Sequence, residues 1–253
     1  MYRSMSYKAA NNSYEAYKSS INHILESNKD FFNNSDVTGI FGVDDHFGIL
    51  YCKEIAKEFP QYAEAIRNGQ YKIQIENSNC IGQKTFFSIE LNTEIAANIA
   101  RYIYHALVIH KYINTKFNSN IDVLEIGGGY GGLCYWLQVF CSNINTYTIL
   151  DLEEANRLQK YYLNQVNTPG ITISNVDNFS KSSRPLFIVS NYGYSEFNEF
   201  YQTLYKKTII KVADGGFMIW NNWSGIINFT DLQMIIEKER PEFPDCPNKF
   251  IYF

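Results

Sequence analysis

The chain has 253 residues, 45% of them hydrophobic and 19% charged, with a formal net charge of −4. That length can bury a real core, as one large domain or as one domain with a helical extension, and the mild acidity argues against a basic footprint for nucleic acid or an anionic membrane. The cysteines Cys52, Cys80, Cys134, Cys141 and Cys246 form no CxxC pair, Met1–Tyr7 has no apolar leader, and no apolar run approaches the roughly 20 residues of a membrane span, so the expectation is a soluble, cytoplasmic protein with free thiols.

Up to about Asn120 the hydrophobic period is helical. Ser13 to Glu26 reads as an amphipathic helix, with Tyr14, Tyr17, Ile21, Ile24 and Leu25 on one side. Asn33 to Gly48 is rich in Gly, Asn and Asp and reads as a loop. Tyr51 to Arg67 is helical again, with Pro60 breaking or kinking it. Asn92 to Phe117 predicts one long helix, because Ile95, Ile99, Tyr102, Ile103, Ala106 and Ile109 recur at three and four residues.

From Asn120 the pattern changes to alternating strands and helices. Strands are expected at Ile121–Ile126, Tyr147–Leu150, Ile171–Ser174, Leu186–Ser190, Gly216–Trp220 and Phe250–Phe253. Helices are expected at Leu133–Phe140, Leu152–Val166, about Glu196–Lys207 and Thr230–Glu239. The chain thus divides into a helical N-terminal cap and substrate region, residues 1–118, and an α/β domain, residues 119–253. Short connections in that domain imply right-handed crossovers and a doubly wound, mostly parallel Rossmann-like sheet. Ligands of such sheets sit beyond the carboxyl ends of the strands, where the strand order reverses.

The most informative stretch is Val123–Leu133, VLEIGGGYGGL. Gly127, Gly129 and Gly132 fit the GxGxxG dinucleotide pattern. Glu125, Gly127, Gly129 and Gly131 fit the acidic-x-GxGxG pattern, which resembles class I methyltransferases. Both need glycine, because the backbone must turn sharply and approach a cofactor with no Cβ in the way. A pyrophosphate is anionic, whereas S-adenosylmethionine carries a sulfonium and an ammonium, so Glu125 favours the latter by Coulomb attraction. Asp151 ends the second strand, where its carboxylate can accept both ribose hydroxyls or cap the helix that follows.

Several segments resemble the sugar O-methyltransferases of class I. These are Glu125–Leu133, Tyr147–Ala155 (YTILDLEEA), Leu158–Leu163 (LQKYYL) and Ser190–Glu196 (SNYGYSE), with Val43–Gly48 and Thr93–Tyr102 as weaker matches. Together they cover most of residues 40 to 225. The chain departs from that family at Glu153, where a Pro is usual, and at Ile49, where Asn-Pro is usual. It also ends at Phe253, which leaves little room for a last antiparallel hairpin. The resemblance implies S-adenosylmethionine as cofactor and methyl transfer to a carbohydrate hydroxyl. The expected partner is a sugar or glycan acceptor, free or nucleotide-linked, with no nucleic acid and no membrane, and a homo-oligomer is allowed.

The expected cofactor set is Glu125, Gly127, Gly128, Gly129, Tyr130, Asp151, Leu152, Asn175, Asp177 and Asn191. Asn175 and Asp177 follow the third strand, placed to meet the adenine amino group or simply to make a turn. A sugar hydroxyl is a poor nucleophile at neutral pH, so a general base is expected. Glu196 follows the fourth strand, and His46 lies in the Asp44–Asp45–His46 loop. These two rank equally as bases, with Asp45 beside the histidine. His105 and His110 read as packing or surface residues of the long helix. The expected acceptor set is Arg101, Tyr192, Ser195, Asn222 and Trp223. Adjacent Asp44 and Asp45 are too common a pair to imply a metal, and none is expected. The competing classes are an NAD(P)-dependent oxidoreductase and a non-catalytic cofactor-binding subunit.

Overall fold

The computed structural model describes residues 18–23, 25–26, 43–80, 82–174, 176, 179–221, 229, 232–242 and 247–253. Three helices come first, α1 (Asp45–Glu58), α2 (Pro60–Arg67) and α3 (Lys72–Ser78). A small antiparallel hairpin of β1 (Thr85–Ser88) and β2 (Thr93–Ala96) leads into the long helix α4 (Ala97–Lys116). The main sheet then begins: β3 (Ile121–Ile126), α5 (Gly132–Phe140), β4 (Ile144–Leu150), α6 (Glu153–Gln165), β5 (Ile171–Ser174) and β6 (Leu186–Asn191). A one-turn helix α7 (Gly193–Glu196), α8 (Glu199–Thr208), β7 (Gly215–Trp220), β8 (Ile235–Lys238) and β9 (Lys249–Tyr252) complete it.

The seven strands run in the order β5-β4-β3-β6-β7-β9-β8. The first five are parallel to one another, and β9 is antiparallel to both β7 and β8. Every residue of β3 and of β7 is buried, as expected of central strands covered on both faces. Ile121 and Val123 join the core under α4, α5 and α6, whereas Leu124 and Ile126 join a second core with Tyr205 and Ile209 on the opposite face. The helix α4 is apolar around most of its circumference because it lies between the sheet and the α1 layer. The first core runs without a break from Tyr51 and Ile55 in α1 to Val189 and Phe250 in the sheet.

Several expectations are corrected. Asn92–Phe117 is not one helix: Thr93–Ala96 pairs as a strand with Thr85–Ser88. Ile95 stands four residues before Ile99, and both are buried, so the strand extends the helix's apolar period. The Asn33–Gly48 loop ends early, because Asp44 caps α1 by accepting from the Phe47 N–H at 3.0 Å. Asp45 and His46 therefore sit on a helix. Pro60 does break the Tyr51–Arg67 run, taking the first position of α2.

The Thr230–Glu239 helix is contradicted over Ile235–Lys238, which form an edge strand. The last antiparallel hairpin is present, because strands of four residues suffice for it. The helix expected from about Glu196 starts at Glu199, where Asn198 caps it through the Tyr201 N–H, and Glu196 closes the one-turn α7 before it. Of the Ser13–Glu26 helix, residues 18–23 and 25–26 are helical, and the rest lies outside the described residues. Among the described residues the free cysteines are Cys52, Cys80, Cys134 and Cys141. No helix among them is long and apolar enough to cross a membrane.

Candidate functional site

The sheet order reverses between β3 and β6. The chain leaves β3 towards β4 and β5 on one side, and leaves β6 towards β7 on the other. A crevice opens between loops that diverge in this way. Gly127 (φ +74°) turns the chain out of β3, and Gly193 starts the turn of helix after β6. The two backbones touch: a Cβ on Gly127 would stand 3.0 Å from the Gly193 Cα. Ser190 pins the same junction, donating to the Ile126 carbonyl at 2.7 Å and accepting from the Tyr194 N–H at 2.9 Å. Between them Tyr192 is held at φ +67°, a costly conformation for a residue with a Cβ.

Under the glycine loop lie two carboxyl groups and an amide. Glu125 is 1% exposed and accepts from the Tyr147 hydroxyl at 2.9 Å. Burial pushes its pKa up to about 8, the Tyr147 bond opposes this, and the nearby Asp151 adds to it. The charge expected of Glu125 is therefore held back: at neutral pH the carboxyl is mostly protonated unless a cation arrives.

Asp151 follows β4, with Oδ1 accepting from the Leu152 N–H at 2.8 Å and Oδ2 from Gln159 Nε2 at 2.8 Å. Burial raises its pKa to about 6, against the pull of those donors and of the Gly128 and Gly129 N–H groups. The residue capping α6 is Leu152, so Asp151 is not spent as the helix cap. The glycines owe much to internal packing. A Cβ on Gly128 would come within 2.6 Å of Ile149 Cγ2 and 3.3 Å of Gln159 Nε2.

The other expected cofactor residues are placed unevenly. The Tyr130 ring points into the core, edge-on to Tyr102 and Tyr162, with its hydroxyl accepting from Gln83 Nε2 at 3.1 Å. Asn191 ends β6 and places Nδ2 3.1 Å from His105 Nδ1. Asn175 and Asp177 lie outside the described residues, as do Asn222 and Trp223.

Arg101 and Tyr192, both expected in the acceptor set, are gathered with residues that the sequence did not single out. Arg101 lies over the Tyr102 ring, 4.9 Å from its centroid. Burial lowers its pKa, but the hydroxyls of Tyr102, Tyr192 and Tyr51 outweigh this and keep the guanidinium charged. The Tyr192 hydroxyl donates to Glu239 Oε1 in a short hydrogen bond. Glu239, 1% exposed, also accepts from Asn248 Nδ2 at 2.7 Å, and its Oε1 lies 3.5 Å from His105 Nε2. His105 is fully buried, and burial lowers its pKa against the pull of Glu239. Tyr51 meets the imidazole edge-on at 5.4 Å. His105 was legible only as a packing position, and Glu239 was hidden in a segment that reads as helix.

The side chains of the remaining candidates make other contacts. Ser195 is buried, with its hydroxyl donating to the Tyr192 carbonyl at 2.6 Å and accepting from the Asn221 N–H at 3.0 Å. It braces two loops, so a substrate contact would have to break those bonds. Glu196 accepts from Asn221 Nδ2 at 3.2 Å. His46 is exposed, and Asp45 accepts from Lys84 Nζ at 3.1 Å. No group of three or more His, Cys, Asp or Glu side chains among the described residues is arranged to hold a metal ion.

No protein-family model matches the chain, and no curated protein matches it. Solved structures are similar to it at low identity. A SAM-dependent methyltransferase from Aquifex aeolicus is 13% identical, with a TM-score of 0.43 over 56% of this chain and 86% of that one. The plantazolicin methyltransferase BpumL in complex with SAH is 12% identical, with a TM-score of 0.46 over 79% and 98%. A SAM-dependent methyltransferase from Leishmania major is 11% identical, with a TM-score of 0.45 over 58% and 70%. At such similarity the site's own geometry has to carry any assignment of function.

Proposed function

We propose that the chain is an S-adenosylmethionine-dependent methyltransferase acting on a sugar hydroxyl. The observation that carries the cofactor is Asp151, a carboxylate at the end of β4 beside the glycine loop, on the crevice where the strand order reverses. That donor set fits an adenosyl group. The carboxylate accepts from a ribose diol, and the loop backbone approaches without a Cβ at Gly127 or Gly129. Bound there, S-adenosylmethionine supplies a methyl group activated by a sulfonium. Glu125 beneath the loop gains charge when a cation binds nearby, so it reinforces the cationic ligand rather than attracting it from afar.

The chain's own task is to align the acceptor and to take its proton. We assign the alignment to Tyr192, which follows β6, and to Arg101 on α4. Glu239 behind Tyr192 is a sink for the proton, and Asn248 orients its carboxylate by donating to Oε2 at 2.7 Å. Tyrosine hydroxyls, the Asn191 amide and the Arg101 guanidinium suit an acceptor rich in hydroxyls, which supports the sugar that the sequence resemblance implies. The test is calorimetry with S-adenosylhomocysteine and with NAD, then transfer of labelled methyl from S-adenosylmethionine to monosaccharides, nucleotide-linked sugars, RNA and peptides. Binding of NAD in place of S-adenosylhomocysteine would sink the cofactor. Transfer to RNA or peptide alone would sink the sugar.

A further inference from the structure

Gln159 sits on α6 with its side chain fully buried, and its one amide nitrogen serves two acceptors. Nε2 donates to Asp151 Oδ2 at 2.8 Å and to the Gly129 carbonyl at 3.1 Å. The two N–H bonds of a planar amide have a fixed angle between them, so the carboxylate at the end of β4 and the loop after β3 are held in one relation. Gly128 makes room for this, since a Cβ there would press on Gln159 Nε2 and Ile149 Cγ2. The amide is neutral, so it orients the carboxylate without cancelling its charge, as a lysine or arginine would. Gln159 Oε1 is buried with no hydrogen-bond partner, a cost the fold bears while keeping the amide in place.

We infer that Gln159 is the positioning residue of the cofactor site, clamping the Asp151 carboxylate to the glycine loop so that its oxygens are held in one orientation for a ribose diol. This rests on the cofactor reading above. Gln159 acts through Asp151 and the loop rather than by touching the ligand. Its effect therefore depends on Asp151 being present, which a bracing role for α6 alone would not require.

The experiment is a double-mutant cycle read by calorimetry with S-adenosylhomocysteine. Gln159→Leu should bind it about 10- to 100-fold more weakly than the unmodified chain, the range for losing a hydrogen bond to a charged group. Gln159→Leu combined with Asp151→Ala should bind no more weakly than Asp151→Ala alone. The affinity of Gln159→Leu should also fall off at a higher pH than that of the unmodified chain, because a donor to the carboxylate is gone while Glu125, its neighbour on β3, is unchanged.

Should Gln159→Leu fail to fold, Gln159→Met keeps the length and removes the donor. Full affinity in a folded variant overturns the clamp, and so do losses that simply add. An unmodified chain that does not bind S-adenosylhomocysteine overturns the cofactor reading and the ligand named here. The clamp is then judged by carboxyl-carbon NMR, where an unmoved Asp151 midpoint in Gln159→Leu overturns it.

Discussion

Gly127 and Gly193 meet backbone to backbone where the sheet changes direction, each leaving the other no room for a Cβ. A methyl on Gly193 would stand 3.0 Å from the Gly127 Cα, 3.1 Å from the Ile126 carbonyl oxygen and 3.3 Å from the Gly127 oxygen. All three are backbone atoms, so relief needs the two loops to part. Gly193→Ala should cost roughly 1–3 kcal/mol as overpacking does, lowering Tm by roughly 2–10 °C in a chain of this size. S-adenosylhomocysteine affinity should fall with it, because both walls of the crevice move. A thermal melt matching the unmodified chain would mean that this contact is not tight in solution.

Glu125 predicts how stability varies with pH. Its folded pKa is raised to about 8 from an ordinary 4.5 by burial. The folded state therefore holds the proton more tightly than the unfolded state does. The resulting stability is fully present below about 4.5 and is lost as pH rises towards 8, at no more than about 1.4 kcal/mol per pH unit. Glu125→Gln keeps an acceptor for the Tyr147 hydroxyl and does not titrate. Denaturant melts at pH 5, 6.5 and 8 should show the unmodified chain losing ground to Glu125→Gln as pH rises. A constant difference between the two would refute the burial assigned to this carboxyl.

The parts of this site that were legible in the sequence share a cause. The strand at Ile121–Ile126 is buried on both faces and runs straight into five glycines in six residues, so local pattern and tertiary role coincide. Asp151 was legible because a strand end fixes where a side chain starts. Glu239 was not, because the four side chains of β8 are all exposed and carry no alternation, and the segment reads as helix. Gln159 lay in a helix that was placed correctly, but only the packing of α6 against the glycine loop gives its amide a task. His46 was read as a loop residue, yet it stands in the first turn of α1, exposed beside Phe47, because Asp44 caps the helix one residue before Asp45.

Asp151 should set the acid limb of cofactor binding. A ribose diol donates to the ionised carboxylate, and Asp151 has its pKa raised by burial to about 6. Affinity for S-adenosylhomocysteine should be level above about pH 7 and fall below pH 6, by up to about tenfold per unit. Asp151→Ala should weaken binding by about 1.5–3 kcal/mol at neutral pH and flatten that limb. Calorimetry on a folded Asp151→Ala protein with unchanged affinity would remove the ribose from this position.

Four substitutions separate the candidates for taking the acceptor's proton. Tyr192 lies at the strand end with its hydroxyl bonded to Glu239, so a proton taken by Tyr192 Oη is matched by one passed to Glu239 Oε1. His105 Nε2 lies 3.5 Å from the same oxygen, and Asn248 Nδ2 donates to the other at 2.7 Å. Glu239→Gln keeps the shape of the side chain and removes the sink. Tyr192→Phe keeps the ring and removes the link. Each should lower turnover about 10²–10⁴-fold while leaving S-adenosylhomocysteine affinity within a few-fold, the signature of a general base. His46→Asn should change little, since that imidazole is exposed on α1 and Asp45 beside it is bridged to Lys84. Glu196→Gln is the decisive comparison, because Glu196 follows β6 as Tyr192 does and keeps Asn221 as its only hydrogen-bond partner among the described side chains. Turnover is measured by labelled methyl transfer to whichever acceptor the chain accepts. A large loss in Glu196→Gln with normal turnover in Glu239→Gln would move the base to Glu196 and leave Glu239 a structural carboxylate.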